Sequence, residues 1–123
     1  MLKKIKKILQ KKKKSKLVCL TAYSKNIAGI LDKYCDIILV GDSMGNVLYG
    51  MPNTHHVTMT NIIQHGLSVK QGIKKSLFVV DMPKNSYSNV DVAKKNAKFL
   101  LKNLILLNMQ KNIKFLFKWQ PEN

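Results

Sequence analysis

An α/β fold built on a parallel sheet is what this chain predicts, and three observations carry the expectation. Short apolar runs recur three times: "LVCLTA" over residues 17–22, "DIILVGD" over 36–42 and "SLFVVDMP" over 76–83. Helix-length segments separate them, so the order reads strand, helix, strand, helix, strand, helix. The runs are almost continuously apolar, as strands of a sheet covered on both faces must be, and the second and third run into an acid.

Each element follows from local pattern. Leu2, Ile5, Ile8 and Leu9 repeat at helical spacing with lysines between them, which predicts a basic amphipathic helix within residues 1–15. Such a helix either lies on a membrane surface or leans on the domain. "LVCLTA" is short, apolar and partly β-branched, hence a strand. Ser24 is placed to cap a helix over about residues 26–34. After "DIILVGD" the sequence predicts a long loop, then a helix through "NIIQHGLSVKQG", begun by Thr58 or Thr60 and closed by Gly72. After "SLFVVDMP", the segment "NVDVAKKNAKFLLKNLILL" reads as a last helix, opened by Asn89 or Asp91.

Composition narrows the function classes. A chain of 123 residues with 46% hydrophobic content suits one globular domain. No apolar run approaches the roughly 20 residues of a membrane span. The lysine-rich amino terminus lacks the pattern of a secretory signal, so the expected compartment is the cytoplasm. The net charge of +16 invites a second reading, a small basic module binding nucleic acid or anionic membrane. All 22 basic residues are lysine, however, and a nucleic-acid surface is expected to use arginine's planar fork. A solvated lysine surface with no specific nucleic acid and no membrane partner is therefore the expectation. Cys19 and Cys35 form no C-x-x-C pair and predict buried free thiols rather than a zinc or redox site.

Two of the six acidic residues, Asp42 and Asp81, stand at the carboxyl ends of successive strands. In parallel α/β folds that edge faces the site. Two carboxylates about 4 Å apart repel by about 4 kcal/mol at an effective dielectric near 20. A cation between them removes that cost, and hard oxygen donors without a thiol suit Mg²⁺ held partly by water. The alternative is that each aspartate caps its following turn. Ser43 either binds substrate or bonds to its own loop, and no histidine stands where it would make Ser43 a nucleophile. Gly41 and Gly45 would let backbone approach a ligand closely. His55 and His56 are expected to be exposed, His65 to lie on the surface or partly buried on its helix, and Tyr23 to pack near the pocket.

"LVCLTAY" at 17–23, "VGDSMGNVLYG" at 40–50, "VT" at 57–58 and "VVDMP" at 79–83 together resemble the ketopantoate hydroxymethyltransferase family, in order and interval, from about residue 8 to about residue 101. The resemblance implies the amino-terminal part of a (β/α)₈ TIM barrel, about three to four β/α units. It implies a Mg²⁺-dependent enzyme of pantothenate biosynthesis. That enzyme transfers a hydroxymethyl group from 5,10-methylenetetrahydrofolate to 3-methyl-2-oxobutanoate, giving 2-dehydropantoate. By the resemblance Asp42 and Asp81 bind the metal, Asp42, Ser43 and Asp81 contact the oxo acid, and the chain assembles as a homo-oligomer. Ser24, Asn46, the "HHVT" string and Lys84 depart from the family pattern. The fourth strand, V-K-[LI]-E-G-G in the family, has no counterpart: Lys114 sits in the nearest similar string, with Leu116 in place of the acid. The family's catalytic base is likewise unassigned in this chain. These departures predict three segments: the basic helix of residues 1–15, a partial barrel domain of 16–102, and a divergent tail of 103–123 after a truncated or frameshifted reading frame.

Overall fold

The structure, a computed structural model, describes residues 2–106. Three strands, β1 (Cys19–Thr21), β2 (Ile37–Val40) and β3 (Leu77–Val80), form one parallel sheet in the order β1-β2-β3. Cys19 lies opposite Ile37, and Ile37 opposite Leu77, so all three strands point their carboxyl ends the same way.

Side-chain alternation fixes what the sheet covers. Ile38 and Val40 of β2 are fully buried while Ile37 and Leu39 are only half-buried. The buried pair faces the helices α2 (Lys25–Leu31), α4 (Met59–Gly72) and α5 (Val90–Leu106). Ile62 and Val69 of α4 and Leu100 and Leu104 of α5 complete this core, all without solvent contact. Each such aliphatic side chain contributes about 1.5–3 kcal/mol on burial. α4 is the central packing element, touching α2, α5, β2 and β3.

The ends of the helices have specific causes. Thr58 begins α4 with a reciprocal pair: its hydroxyl accepts from Asn61 N–H at 3.2 Å, and the Asn61 side-chain oxygen accepts from Thr58 N–H at 2.9 Å. Asn89 opens α5 by accepting from Val92 N–H at 2.9 Å. Ser24 stands at the N-cap position of α2, but its side chain makes no capping bond, and the Lys25 N–H donates to the Ser68 hydroxyl instead. Gly72 is the last residue of α4 and does not end it through a left-handed turn. It is glycine for close approach: a Cβ there would run into the Lys25 carbonyl and sit 2.8 Å from Gly29 N, so only glycine lets α4 lie against α2.

α1 (Leu2–Lys11) leans on the domain across the amino-terminal ends of the strands. Lys4 Nζ donates to the Ser76 carbonyl at 2.8 Å, and Lys11 Nζ pairs with Asp36 Oδ1 at 2.5 Å. The Lys11 ammonium, followed by the Val18 N–H, holds the Asp36 carboxyl below its usual range. α2 ends at Leu31, and Asp32 follows as its cap.

Two further expectations are corrected. The long loop after β2 contains a helix, α3 (Met44–Tyr49), closed by Gly50 at φ +63°, a left-handed value that favours glycine. Cys19 is exposed and only Cys35 is buried, because β1 is an edge strand whose three residues are all open to solvent. The tail expected over 103–123 lies outside the described residues from 107 onward, as do Lys114 and Leu116, while residues 103–106 continue α5 without a break.

Candidate active site

The parallel register brings the segments after β1, β2 and β3 to one edge, where Tyr23, Asp42, Ser43 and Asp81 gather. After β2 the chain turns at Gly41 directly into α3, with Ser43 at the N-cap position. Its backbone is already helical there, at φ −55° and ψ −14°, and its hydroxyl makes no capping bond. That hydroxyl meets the Tyr23 hydroxyl at 2.5 Å, so the ends of β1 and β2 are joined side chain to side chain.

Asp81 follows β3, and its N–H continues the sheet by donating to the Val40 carbonyl at 2.9 Å. One carboxylate oxygen accepts from the Met82 N–H at 2.9 Å, which is a turn-capping bond, and the side chain remains open to solvent on its other side. Desolvation by the surrounding strand ends pushes the Asp81 carboxyl above its usual pKa, the Met82 N–H opposes this, and the charge of Asp42 raises it further. Asp42 is half-buried, and its carboxylate meets no hydrogen-bond donor among the described residues. The turn-capping alternative thus describes one oxygen of Asp81 and does not describe Asp42.

A pair of carboxylates at one strand edge, each within reach of the other's charge and one with no internal donor, is a site that a cation would relieve. Two carboxylates and a neighbouring hydroxyl are hard oxygen donors that fit Mg²⁺ keeping most of its water. Among the described residues, no group of three or more His, Cys, Asp or Glu side chains is assembled for a metal.

The two glycines flanking Asp42 stand in different surroundings. A Cβ on Gly45 would lie 2.8 Å from Val57 Cγ2 and 3.4 Å from Met51 Sδ, so Gly45 serves the packing of α3 against the following loop. Gly41 has no atom nearer than 3.9 Å to that position and is under no packing demand. His55 and His56 are exposed, and Lys84 Nζ donates to His55 Nε2 at 3.1 Å. Two residues distant in sequence thus meet on the surface.

Sequence reasoning did not find the layer behind Tyr23. His65 of α4 is half-buried, with Nδ1 2.7 Å from the Tyr23 carbonyl and Nε2 2.7 Å from the Tyr49 hydroxyl. The imidazole meets both phenol rings edge-on, with centroids at 6.4 Å and 5.9 Å. The only hint in the sequence was a histidine within a helix that precedes the third strand.

A model of the family described as ketopantoate hydroxymethyltransferase matches residues 2–114. The match runs past residue 102, where the recognisable motifs end. Similar curated proteins carry the name 3-methyl-2-oxobutanoate hydroxymethyltransferase. That of Pelagibacter ubique (strain HTCC1062) is 54% identical over 99 residues, which make up 80% of this chain and 38% of the relative. Those of Chelativorans sp. (strain BNC1) and Anaplasma marginale (strain St. Maries) are 50% and 49% identical over 65% and 76% of this chain, and 28% and 34% of their own lengths. The chain thus spans about a third of the length of the curated relatives it matches.

Proposed function

The chain belongs to the ketopantoate hydroxymethyltransferase family, and from that premise we propose that its strand ends carry the oxo-acid half of a hydroxymethyltransferase site. The reaction is transfer of a hydroxymethyl group from 5,10-methylenetetrahydrofolate to 3-methyl-2-oxobutanoate, giving 2-dehydropantoate in pantothenate biosynthesis. The parallel sheet with helices on one face is read as the first three β/α units of a (β/α)₈ barrel, whose sites lie at the carboxyl ends of the strands. The observation that carries this reading is the placement of Asp42 and Asp81 just past the carboxyl ends of neighbouring parallel strands, where the charge of Asp42 is felt at Asp81.

Asp42 and Asp81 would hold Mg²⁺, with water completing its shell. Bound there, the ion would withdraw electron density from a 2-oxo acid and so acidify the C–H beside the ketone. Ser43 contributes a hydroxyl to the carboxylate or ketone oxygen of the oxo acid, and its contact with Tyr23 fixes where that hydroxyl points. The half-buried position of Asp42 and Ser43 reduces competition from water at these oxygens. The carbon that loses its proton then bonds to the one-carbon unit as the two C–N bonds that tie that unit to the folate break, water supplies the hydroxyl oxygen and tetrahydrofolate leaves; none of the described residues is assigned as the base. A homo-oligomer and a cytoplasmic setting belong to the same proposal. They are supported by exposed apolar residues such as Ile30 and Tyr34 and by two free cysteines. No described helix is long and apolar enough to cross a membrane. Lys4 and Lys11 of the basic helix turn inward to protein oxygens, which favours the enzymatic reading over a lysine-driven binding module.

Calorimetric titration of the full chain with Mg²⁺ and 3-methyl-2-oxobutanoate tests the proposal. Binding that needs both components is expected, weakened at least about tenfold in Asp42→Asn and in Asp81→Asn, or roughly 1.4 kcal/mol. Equal affinity in wild type and both variants would remove these residues from the site.

A further inference from the structure

We propose that His65 is a positioning residue that sets the direction of the Ser43 hydroxyl through Tyr23. The proposal rests on the functional reading above only in its last link, that Ser43 faces the oxo acid.

The hydrogen-bond chain has a definite polarity. A carbonyl can only accept, so the His65 nitrogen 2.7 Å from the Tyr23 carbonyl, Nδ1, carries the proton. In the neutral ring Nε2 is then an acceptor, and the Tyr49 hydroxyl 2.7 Å away donates to it. The imidazole is thereby fixed in one tautomer, with α4 bonded to the backbone that leaves β1 and to the end of α3. Tyr23 is held by its carbonyl at one end and reaches Ser43 with its hydroxyl at the other, 2.5 Å from Oγ.

The two hydroxyls are not equivalent donors. A phenol O–H is a stronger hydrogen-bond donor than an alkyl hydroxyl, so we assign Tyr23 O–H as the donor and Ser43 Oγ as the acceptor. The Ser43 proton is then free to point away from Tyr23, toward the Asp42 side of the site, where a ligand oxygen could receive it. Without the anchor on its carbonyl, Tyr23 is free to shift, and Ser43 can turn its proton back toward the phenol oxygen. His65 thus controls whether Ser43 is offered to the ligand as donor, while itself standing behind Tyr23. Apart from these bonds, neither the Tyr49 nor the His65 side chain has another hydrogen bond among the described residues.

The test compares wild type, His65→Leu and His65→Asn in the full chain. Long-range ¹H–¹⁵N spectra of the wild type should show His65 protonated on Nδ1, and an Nε2–H tautomer would overturn the proposal even if a variant failed to fold. His65→Leu should move the Ser43 amide resonance and weaken oxo-acid binding in the presence of Mg²⁺ by about tenfold, the scale of one lost hydrogen bond. His65→Asn places an N–H where Nδ1–H stood and should restore the Ser43 resonance and most of the affinity. An unmoved Ser43 resonance in His65→Leu, or no recovery in a folded His65→Asn, would overturn the positioning role. A wild type that binds no oxo acid, with Ser43 still responding to His65→Leu and recovering in His65→Asn, would leave the positioning standing and sink the functional reading.

Discussion

Asp32 is the residue on which the junction between α4 and β3 depends. Its buried carboxylate accepts from the N–H groups of Lys74, Lys75 and Ser76 at 2.7–3.0 Å, gathering the turn that feeds β3. Burial pushes its carboxyl up, but the Ser76, Lys75 and Lys74 donors outweigh burial, and the net shift is downward. A depressed pKa stabilises the fold above the unfolded value of about 3.9 and ceases to do so as pH falls through the folded value. Asp32→Asn should therefore cost about 2–3 kcal/mol at neutral pH. In urea denaturation its gap to wild type should narrow at pH 3, and a gap independent of pH would contradict this account. The position of Asp42 and Asp81 at strand ends was legible from sequence because its signal is local, an acid ending an apolar run. Asp32 and His65 were not, since the N–H groups that Asp32 gathers and the Tyr23 carbonyl that His65 meets lie some forty residues away, and nothing in a helical turn announces which distant backbone it will meet.

Elements tell a similar story at a longer range. The strands, α4 and α5 were legible because each joins an apolar pattern to a start signal, as at Thr58 and Asn89. α3 is too short to show a periodicity, although Ser43 before it and Gly50 after it were signals that could have marked it. Gly72 shows why a residue can be singled out for the wrong reason: a glycine at a helix end suggests a left-handed stop, whereas here it admits the backbone of α2. Gly72→Ala puts a methyl against backbone that cannot yield as a side chain would. A loss of about 1–3 kcal/mol is expected in thermal or urea unfolding. If the variant matched wild type, the close contact between α2 and α4 would not be the reason for glycine.

For the molecule as a whole, charge and apolar exposure oppose each other. A net charge of +16 drives copies apart, while Leu20 at 46%, Ile30 at 58% and Tyr34 at 74% exposure leave apolar surface on β1, on α2 and on the turn that follows α2. Raising salt from 0.1 M to 1 M shortens the screening length from about 10 Å to about 3 Å and removes the repulsion first. Sedimentation velocity should therefore show self-association that strengthens with salt. Binding through the lysines would behave oppositely, weakening as salt rises, so association that disappears at 1 M would favour the basic-module reading. The order of the sheet also bears on how the chain reaches it. Cys19 must find Ile37, but Ile37 must find Leu77, more than twice as far along the sequence. Closing the longer segment costs about 0.7 kcal/mol more in chain entropy. The β1-α2-β2 unit is thus the cheaper nucleus, yet α2 has only Ala28 to bury by itself. The surface that makes this early unit cohere arrives with α4, so folding is committed only when the second crossover closes.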